Sequence, residues 1–315
     1  MDLIIQIFPY AIAYTIPLLI VALGGLFSER SGVVNIGLEG LMVVGGFASA
    51  LTISKLQETH QGEVWVIWVG ILVAVLTGAL FSLLHAFASI NLHADQVISG
   101  IAINMIAGAL TIFLARNITG SGNISINGIT RTDIPVLKNI PILGDLFFKN
   151  TYSTTWLVIG ILIISTFILY KTRLGLRLRA CGEYPQAADA AGINVYRIRY
   201  LGVIISGAFS GLGGAIILVT YSGEFTGSVA GLGFLAIAAL IFGQWKPLGI
   251  LAATLFFGVA TTIANVSQVI PSLAHIPPLA LKLFPYVVTL IALVIFSKSS
   301  QAPKSVGVAY EKGKR

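Results

Sequence analysis

Of the 315 residues, 19 are Lys or Arg and 12 are Asp or Glu, so charged side chains make up 10% of the chain while 56% of residues are hydrophobic. An ordinary soluble domain carries about 25% charge, so this balance excludes a soluble enzyme, a disordered chain and a disulfide-built secreted scaffold. The single cysteine, Cys181, and the four histidines offer no metal-ligand pair on one helical turn, and no basic stripe interleaved with aromatics marks a nucleic-acid surface.

A hydrocarbon core of about 30 Å is crossed by about 20 apolar residues, so runs free of Asp, Glu, Lys and Arg serve as the ruler. The first covers residues 3–28. It follows Met1-Asp2 with no basic residue and has no small-x-small cleavage site, so it is expected to stay as a helix. Pro9 and Pro17 within it are tolerated in a membrane, where neighbouring helices satisfy the freed carbonyls. Residues 33–53 form a glycine-rich second candidate interrupted by Glu39. Then come 64–94, 96–115, 150–170, 200–223, 225–245, 247–281 and, with Lys282 snorkelling outward, 283–297. The expected fold is all-α: a polytopic membrane protein of about nine helices (8 to 10), forming one transmembrane domain over residues 1–315.

Nine spans divide the basic residues unequally. Thirteen fall on one side: Arg30, six in the 171–199 loop, Lys246 and five in the 298–315 tail; six fall on the other. The positive-inside rule places the 171–199 loop and the tail in the cytoplasm and the N-terminus outside. The longest external segment, 116–153, carries an apolar patch at 140–148 that reads as a short helix lying on the outer membrane face, or else as an irregular loop.

Polar groups at membrane depth mark a candidate pathway. A mid-span carboxylate costs on the order of 2.5 to 3.5 kcal/mol on insertion scales, so Glu39 should face the protein interior or an aqueous cavity. Asn35 lies one turn before it on the same face. Two readings stand: a wall of a substrate path, or a structural clamp in which Glu39 caps a broken helix. Asn104 and Asn265 are further path candidates, with Gln96 and Gln268 beside them. The six residues from Gly37 to Met42 also echo those from Gly231 to Ala236 at an offset of 194. Paired glycine-interrupted segments of this kind point to a transport pathway, with chance similarity as the alternative. Gly202, Ser206, Ser210 and Gly214 recur every four residues, a spacing suited to close packing within the chain in preference to a dimer contact.

The 171–199 loop predicts a helix of about two turns. Pro185 suits its first turn, Glu183 sits near its positive end, alanines favour it, and Gly192 supplies the left-handed stop. So short a helix is marginal alone, and its alanine-lined face (Ala187, Ala188, Ala191) suits docking into a groove of a protein partner.

Three blocks carry a resemblance. The stretch from Leu176 through Glu183, followed by Ala187-Ala188 and Ala191-Gly192-Ile193, resembles the cytoplasmic coupling loop of bacterial ABC importer permeases of the branched-chain amino acid, ribose and nucleoside group. The stretch from Glu29-Arg30-Ser31-Gly32 to Met42 looks like that group's early motif. The stretch from Gly231 to Gly243, ending Trp245-Lys246-Pro247-Leu248-Gly249, fits the same nucleoside branch, which works with basic-membrane-lipoprotein-type binding proteins. The resemblance implies a permease subunit importing nucleosides across the bacterial cytoplasmic membrane, with no catalytic or metal site of its own. Glu183, Pro185, Ala187, Ala188, Ala191 and Gly192 would then seat it on a separate ATPase. No Gly-x-x-x-x-Gly-Lys-Ser/Thr loop is present, so ATP and magnesium would be held by that ATPase and not by this chain. A second related permease subunit and an external substrate-binding lipoprotein complete the implied assembly. A simple sugar such as ribose or a branched-chain amino acid is the alternative cargo; a stand-alone secondary transporter is the alternative of another class.

Overall fold

The computed structural model describes residues 2–135, 137–140, 144–266, 277, 279–281, 283–284, 287–288, 291 and 301–313. Its helices in chain order are α1 (Asp2–Arg30), α2 (Leu38–Gln57), α3 (Val64–Ala86), α4 (Gln96–Thr119), α5 (Ser153–Lys171), α6 (Arg173–Glu183), α7 (Pro185–Ala190), α8 (Val195–Ile217), α9 (Leu232–Phe242) and α10 (Pro247–Val266). Seven of the helices described, α1 to α5, α8 and α10, are long and apolar enough to cross a membrane. Single π-helical turns, Phe87–Asn91 and Leu218–Ser222, lengthen α3 and α8.

The bundle is built around α1 and α8, whose apolar windows are the most buried of the seven, whereas α4 shows most of its surface. Helices in lipid gain little from apolar burial against each other, so they hold together through close contact of small side chains. The Gly202-to-Gly214 stripe supplies that contact inside the chain, as expected. Gly207 lies on the backbone of Gly78 in α3, and Gly211 on Gly45 in α2, with no room for a β-carbon at either crossing.

Two expected spans come out differently. Within 225–245 the helix is only α9, 11 residues or roughly 16 Å, too short to cross. The apolar run is broken because Gly227, Ala230 and Gly231 all adopt left-handed backbone (φ 80°, 55° and 80°). The span at 283–297 falls mostly outside the described residues, as do Gln268 and the end of the 247–281 run. Arg197 and Arg199, expected in a loop, lie on the first turns of α8.

The segments that the charge count puts on one side gather at one end of the bundle: Arg30, α6, α7, Trp245 and residues 301–313. At the other end, β1 (Ile124–Ser125) pairs antiparallel with β2 (Glu224–Phe225), and Tyr152 donates to the Thr220 carbonyl at 2.8 Å. The expected surface helix at 140–148 reduces to a π-helical turn, Gly144–Phe148. Phe147 meets Phe8 of α1 edge-on at 5.0 Å and Phe148 stacks on Trp156 at 5.1 Å, so aromatic contacts pin this turn to the protein.

Candidate functional site

Between α1 and α2 the helix is interrupted at residues 31–37. Asn35 reaches Ser206, eleven residues or roughly 16 Å into α8, so the interruption lies at membrane depth. Non-helical backbone survives there only if its polar groups are satisfied internally. Side chains from four helices do this. Ser28 Oγ donates to the Val33 carbonyl at 2.7 Å, and Gln96 Oε1 accepts from the Val34 amide at 2.7 Å. His85 Nε2 meets the Val34 carbonyl at 2.9 Å, a contact that requires the proton on Nε2 and leaves Nδ1 to accept from Ser99 Oγ at 3.0 Å. Asn35 accepts from the Gly37 amide at 3.1 Å and donates to Ser206 Oγ at 3.0 Å. Asn104 donates to the Ile36 carbonyl at 3.0 Å and accepts from the Gly40 amide at 2.7 Å.

Glu39 secures a second interruption. Its Oε1 accepts from the Gly231 amide at 2.8 Å and its Oε2 from the Gly233 amide at 2.6 Å. These belong to the first turn of α9, where amides have no intrahelical partner and the dipole favours negative charge. Glu39 therefore caps a broken helix from outside, as one of its two expected roles required. Residues 39 and 233 are partners in the sequence echo at offset 194, so the echo corresponds to two glycine-rich segments meeting face to face. Gly233 lies directly on the Glu39 backbone, and only a residue without a side chain fits. Phe234, next to the clamp, is 50% exposed. The site thus brings together Asn35, Glu39, Asn104 and Gln96; Asn265 stands apart, exposed at the end of α10. Ser28, Ser99 and His85 were not expected as members, since lone Ser and His on apolar helices carry no spacing signal.

At the basic end, the loop expected around one short helix contains two. The sequence alone pointed only to α7; α6 is amphipathic, burying Gly175, Leu178, Cys181 and Gly182 while presenting Arg173 and Arg177 outward and laying Arg179 over the Tyr170 ring, and Thr172 caps it by accepting from the Gly175 amide at 3.2 Å. α7 follows after Tyr184 and, as expected, starts at Pro185 and runs for about two turns, and Gly192 (φ 79°) ends the turn as anticipated. The alanine face divides: Pro185 and Ala188 are buried within the chain, whereas Ala187 and Ala191 are exposed. A groove of about 560 Å³ separates the two helices, lined by Arg173, Leu176, Arg177, Glu183, Tyr184 and Ala187 among others. Leu176 and Tyr184 on its walls are 62% and 63% exposed. Burial pushes the Cys181 thiol, on the inner side, up to about 11.

The three sequence blocks converge beneath this pair. Trp245 Nε1 donates to Glu29 Oε2 at 2.5 Å, Arg30 Nη2 donates to the Trp245 carbonyl at 2.8 Å, and Arg30 Nη1 lies 3.7 Å from Glu183 Oε1. Gln244 and Trp245 both sit at φ 52°, a conformation rare for side chains of their size, and the contacts from Glu29 and Arg30 hold that turn. Glu183 thus points to Arg30 instead of capping α7. Among the described residues, no group of three or more His, Cys, Asp or Glu could hold a metal ion.

The geometry agrees with what the chain is similar to. A family model described as branched-chain amino acid transport system / permease component matches residues 7–293. The guanosine ABC transporter permease protein NupQ of Bacillus subtilis is 47% identical, covering 98% of this chain and 97% of that protein. The nucleoside ABC transporter permease protein NupC of Lactococcus lactis subsp. cremoris is 45% identical over 96% of this chain and 95% of its own. Bacillus subtilis also holds a more distant match, the guanosine ABC transporter permease protein NupP, at 27% identity over 77% of this chain and 69% of that one. In fold, the chain is similar to a solved structure described as an inward-facing conformation of a metal-chelate type ABC transporter, with TM-score 0.52, 15% identity, and coverage of 92% of this chain and 85% of that one. The chain is a multi-pass membrane protein and belongs to the family of branched-chain amino acid transport system permease components.

Proposed function

We propose that this chain is a permease subunit of an ABC importer that carries nucleosides across the cytoplasmic membrane, driven by ATP hydrolysis in a separate ATPase subunit. The observation that carries the reading is the α6–α7 pair: an apolar and aromatic groove edged by arginines, joined through Glu183 and Arg30 to the α1–α2 break and the α9 turn. Such a surface suits an ATPase with an acidic rim, and movement imposed on it reaches the clamped interruptions directly. The nucleoside assignment is supported by what NupQ and NupC are named for. The presence of NupP beside NupQ in one bacterium supports a pair of non-identical permeases, with an external binding lipoprotein delivering the cargo. The excess of basic residues at the α6–α7 end supports an orientation with that end and the tail in the cytoplasm and the N-terminus outside.

In this scheme Asn35, Glu39 and Asn104 hold the walls of the path, Phe234 offers a ring on which a base stacks, and Asn265 is a polar contact further along. This chain binds no cofactor; ATP and magnesium belong to the partner. Glu183, Pro185, Ala187, Ala188, Ala191 and Gly192 form the coupling element.

The test is reconstitution with the products of neighbouring genes in proteoliposomes, measuring labelled guanosine uptake. ATP-dependent uptake that requires the external protein is expected. Uptake that persists on an ion gradient without ATP would instead mark a stand-alone secondary transporter. An external protein that binds ribose or leucine and no nucleoside would move the cargo to the alternative class.

A further inference from the structure

The tail at residues 301–313 folds back under the α6–α7 pair. The Ser305 amide donates to the Gly182 carbonyl at 2.9 Å, Ser305 Oγ donates to the Glu183 carbonyl at 3.2 Å, and the Gly307 amide donates to the Gly32 carbonyl at 3.3 Å. At its start, the Gln301 amide donates to Gln244 Oε1 at 3.2 Å, on the strained turn after α9. At its end, Tyr310 is buried with Cys181, Ala188 and Val195 and meets Tyr196 edge-on at 5.5 Å. One extended segment thus touches the coupling helices, the α1–α2 break and the turn beyond α9.

Arg199 of α8 sits at the centre of this contact and is 1% exposed. Its Nη1 donates to the Val308 carbonyl at 2.9 Å, and its guanidinium lies against Gly32, where φ is +97° and a β-carbon would come within 2.9 Å of Nη2. Among the described residues its Nε and Nη2 donors have no acceptor. The guanidinium also faces the Tyr310 ring, 5.9 Å from its centroid.

We propose that the 301–310 strap transmits motion from the coupling helices to the Gly32 break, with Tyr310 as the positioning residue that keeps it seated. This rests on the ABC permease reading above. Movement of α7 carries Tyr310 through Ala188; Ser305 and Gly307 pass it to Gly182 and Gly32, and Arg199 registers the shift against α8.

The assembled complex in proteoliposomes tests this with guanosine as the probe. In Tyr310→Ala, guanosine imported per ATP hydrolysed is expected to fall at least fivefold in correctly assembled complex, while hydrolysis persists. Tyr310→Phe, which keeps the ring, should stay within twofold of wild type. An unchanged ratio in Tyr310→Ala, or uptake and hydrolysis falling together in proportion to assembly, would overturn the proposal. If Tyr310→Ala does not assemble, amide exchange on the wild-type complex decides. Protection at Ser305 and Gly307 should change together with that at 183–192 between the ADP state and the vanadate-trapped ATP state. A tail that stays constant while 183–192 changes would refute transmission. Failure of the wild-type complex to import guanosine would strike the substrate assignment alone, because the exchange comparison does not depend on the cargo.

Discussion

The Glu39 clamp and the α6–α7 pair are both built from polar residues inserted among apolar ones, yet they treat their polar groups in opposite ways. Around Glu39, the carboxylate and the amides of Asn35 and Asn104 are all taken up within the chain, by backbone groups and, for the Asn35 nitrogen, by Ser206 Oγ. On the α6–α7 pair, arginines, Leu176 and Tyr184 face outward with the groove open between them. The difference follows from solvent. At membrane depth an unmet amide costs several kcal/mol and must be answered within the chain, whereas at the membrane end water satisfies the groups until a partner arrives.

The contrast is broken most severely at Glu39. Glu39→Ala leaves the Gly231 and Gly233 amides bare; hydrogen bonds to charged groups contribute about 1.5–3 kcal/mol each, so thermal stability in detergent and uptake should both drop sharply. Glu39→Gln keeps one accepting oxygen and should fall between. Equal melting temperatures for all three proteins would refute the clamp.

Adjacent alanines separate the two kinds of surface next. Ala188→Trp overfills the pocket shared with Cys181 and Tyr310 and should lower stability by about 1–3 kcal/mol, seen as reduced yield of folded protein. Ala187→Trp projects into the open groove and should change stability by less than about 0.5 kcal/mol while uptake falls about tenfold; wild-type uptake would remove Ala187 from the docking face.

Glu183→Gln removes a partly exposed ion pair to Arg30, whose contribution to stability is on the order of 0.5 kcal/mol. Melting should barely move, whereas transport should weaken if the pair relays motion; a large loss of stability would make it structural. The smallest effect concerns Cys181. With its thiol raised from about 9 to about 11, the folded protein should react with iodoacetamide at pH 8 about 100-fold more slowly than the unfolded chain. The raised value means that this burial favours folding below about pH 9 and loses its effect as pH climbs towards 11. Equal labelling rates would show the inner side of α6 to be open.

Hydropathy alone made the long spans legible, because a run of 20 apolar residues has few other fates. It misjudged 225–245, where length and composition suit a span but Gly227, Ala230 and Gly231 turn the chain before it can cross. The α6 helix was hidden for the opposite reason: with three arginines in eleven residues it reads as a charged loop, and only packing of Gly175, Leu178 and Cys181 makes it a helix. Among site residues, the oddity of Glu39 was visible as a charge in an apolar run; Asn35 was expected one helical turn before it on the same face, but it lies in the non-helical break before α2 and reaches the site through its bonds to Gly37 and Ser206. His85, Ser99 and the tail could not be found that way, since His85 and the tail meet backbone groups distant in the chain and Ser99 joins only through His85.

By itself the sequence determined that this protein crosses a membrane repeatedly and which end carries the positive charge; these depend on local composition, which each segment carries wherever it folds. Only the tertiary structure decided that Glu39 meets Gly231 and Gly233, that Arg30 joins Glu183 to Trp245, and that the tail underlies the α6–α7 pair. Those contacts are hydrogen bonds and close approaches between segments up to 275 residues apart, as between Gly32 and Gly307, and their energy exists only once packing has excluded water and lipid from around them.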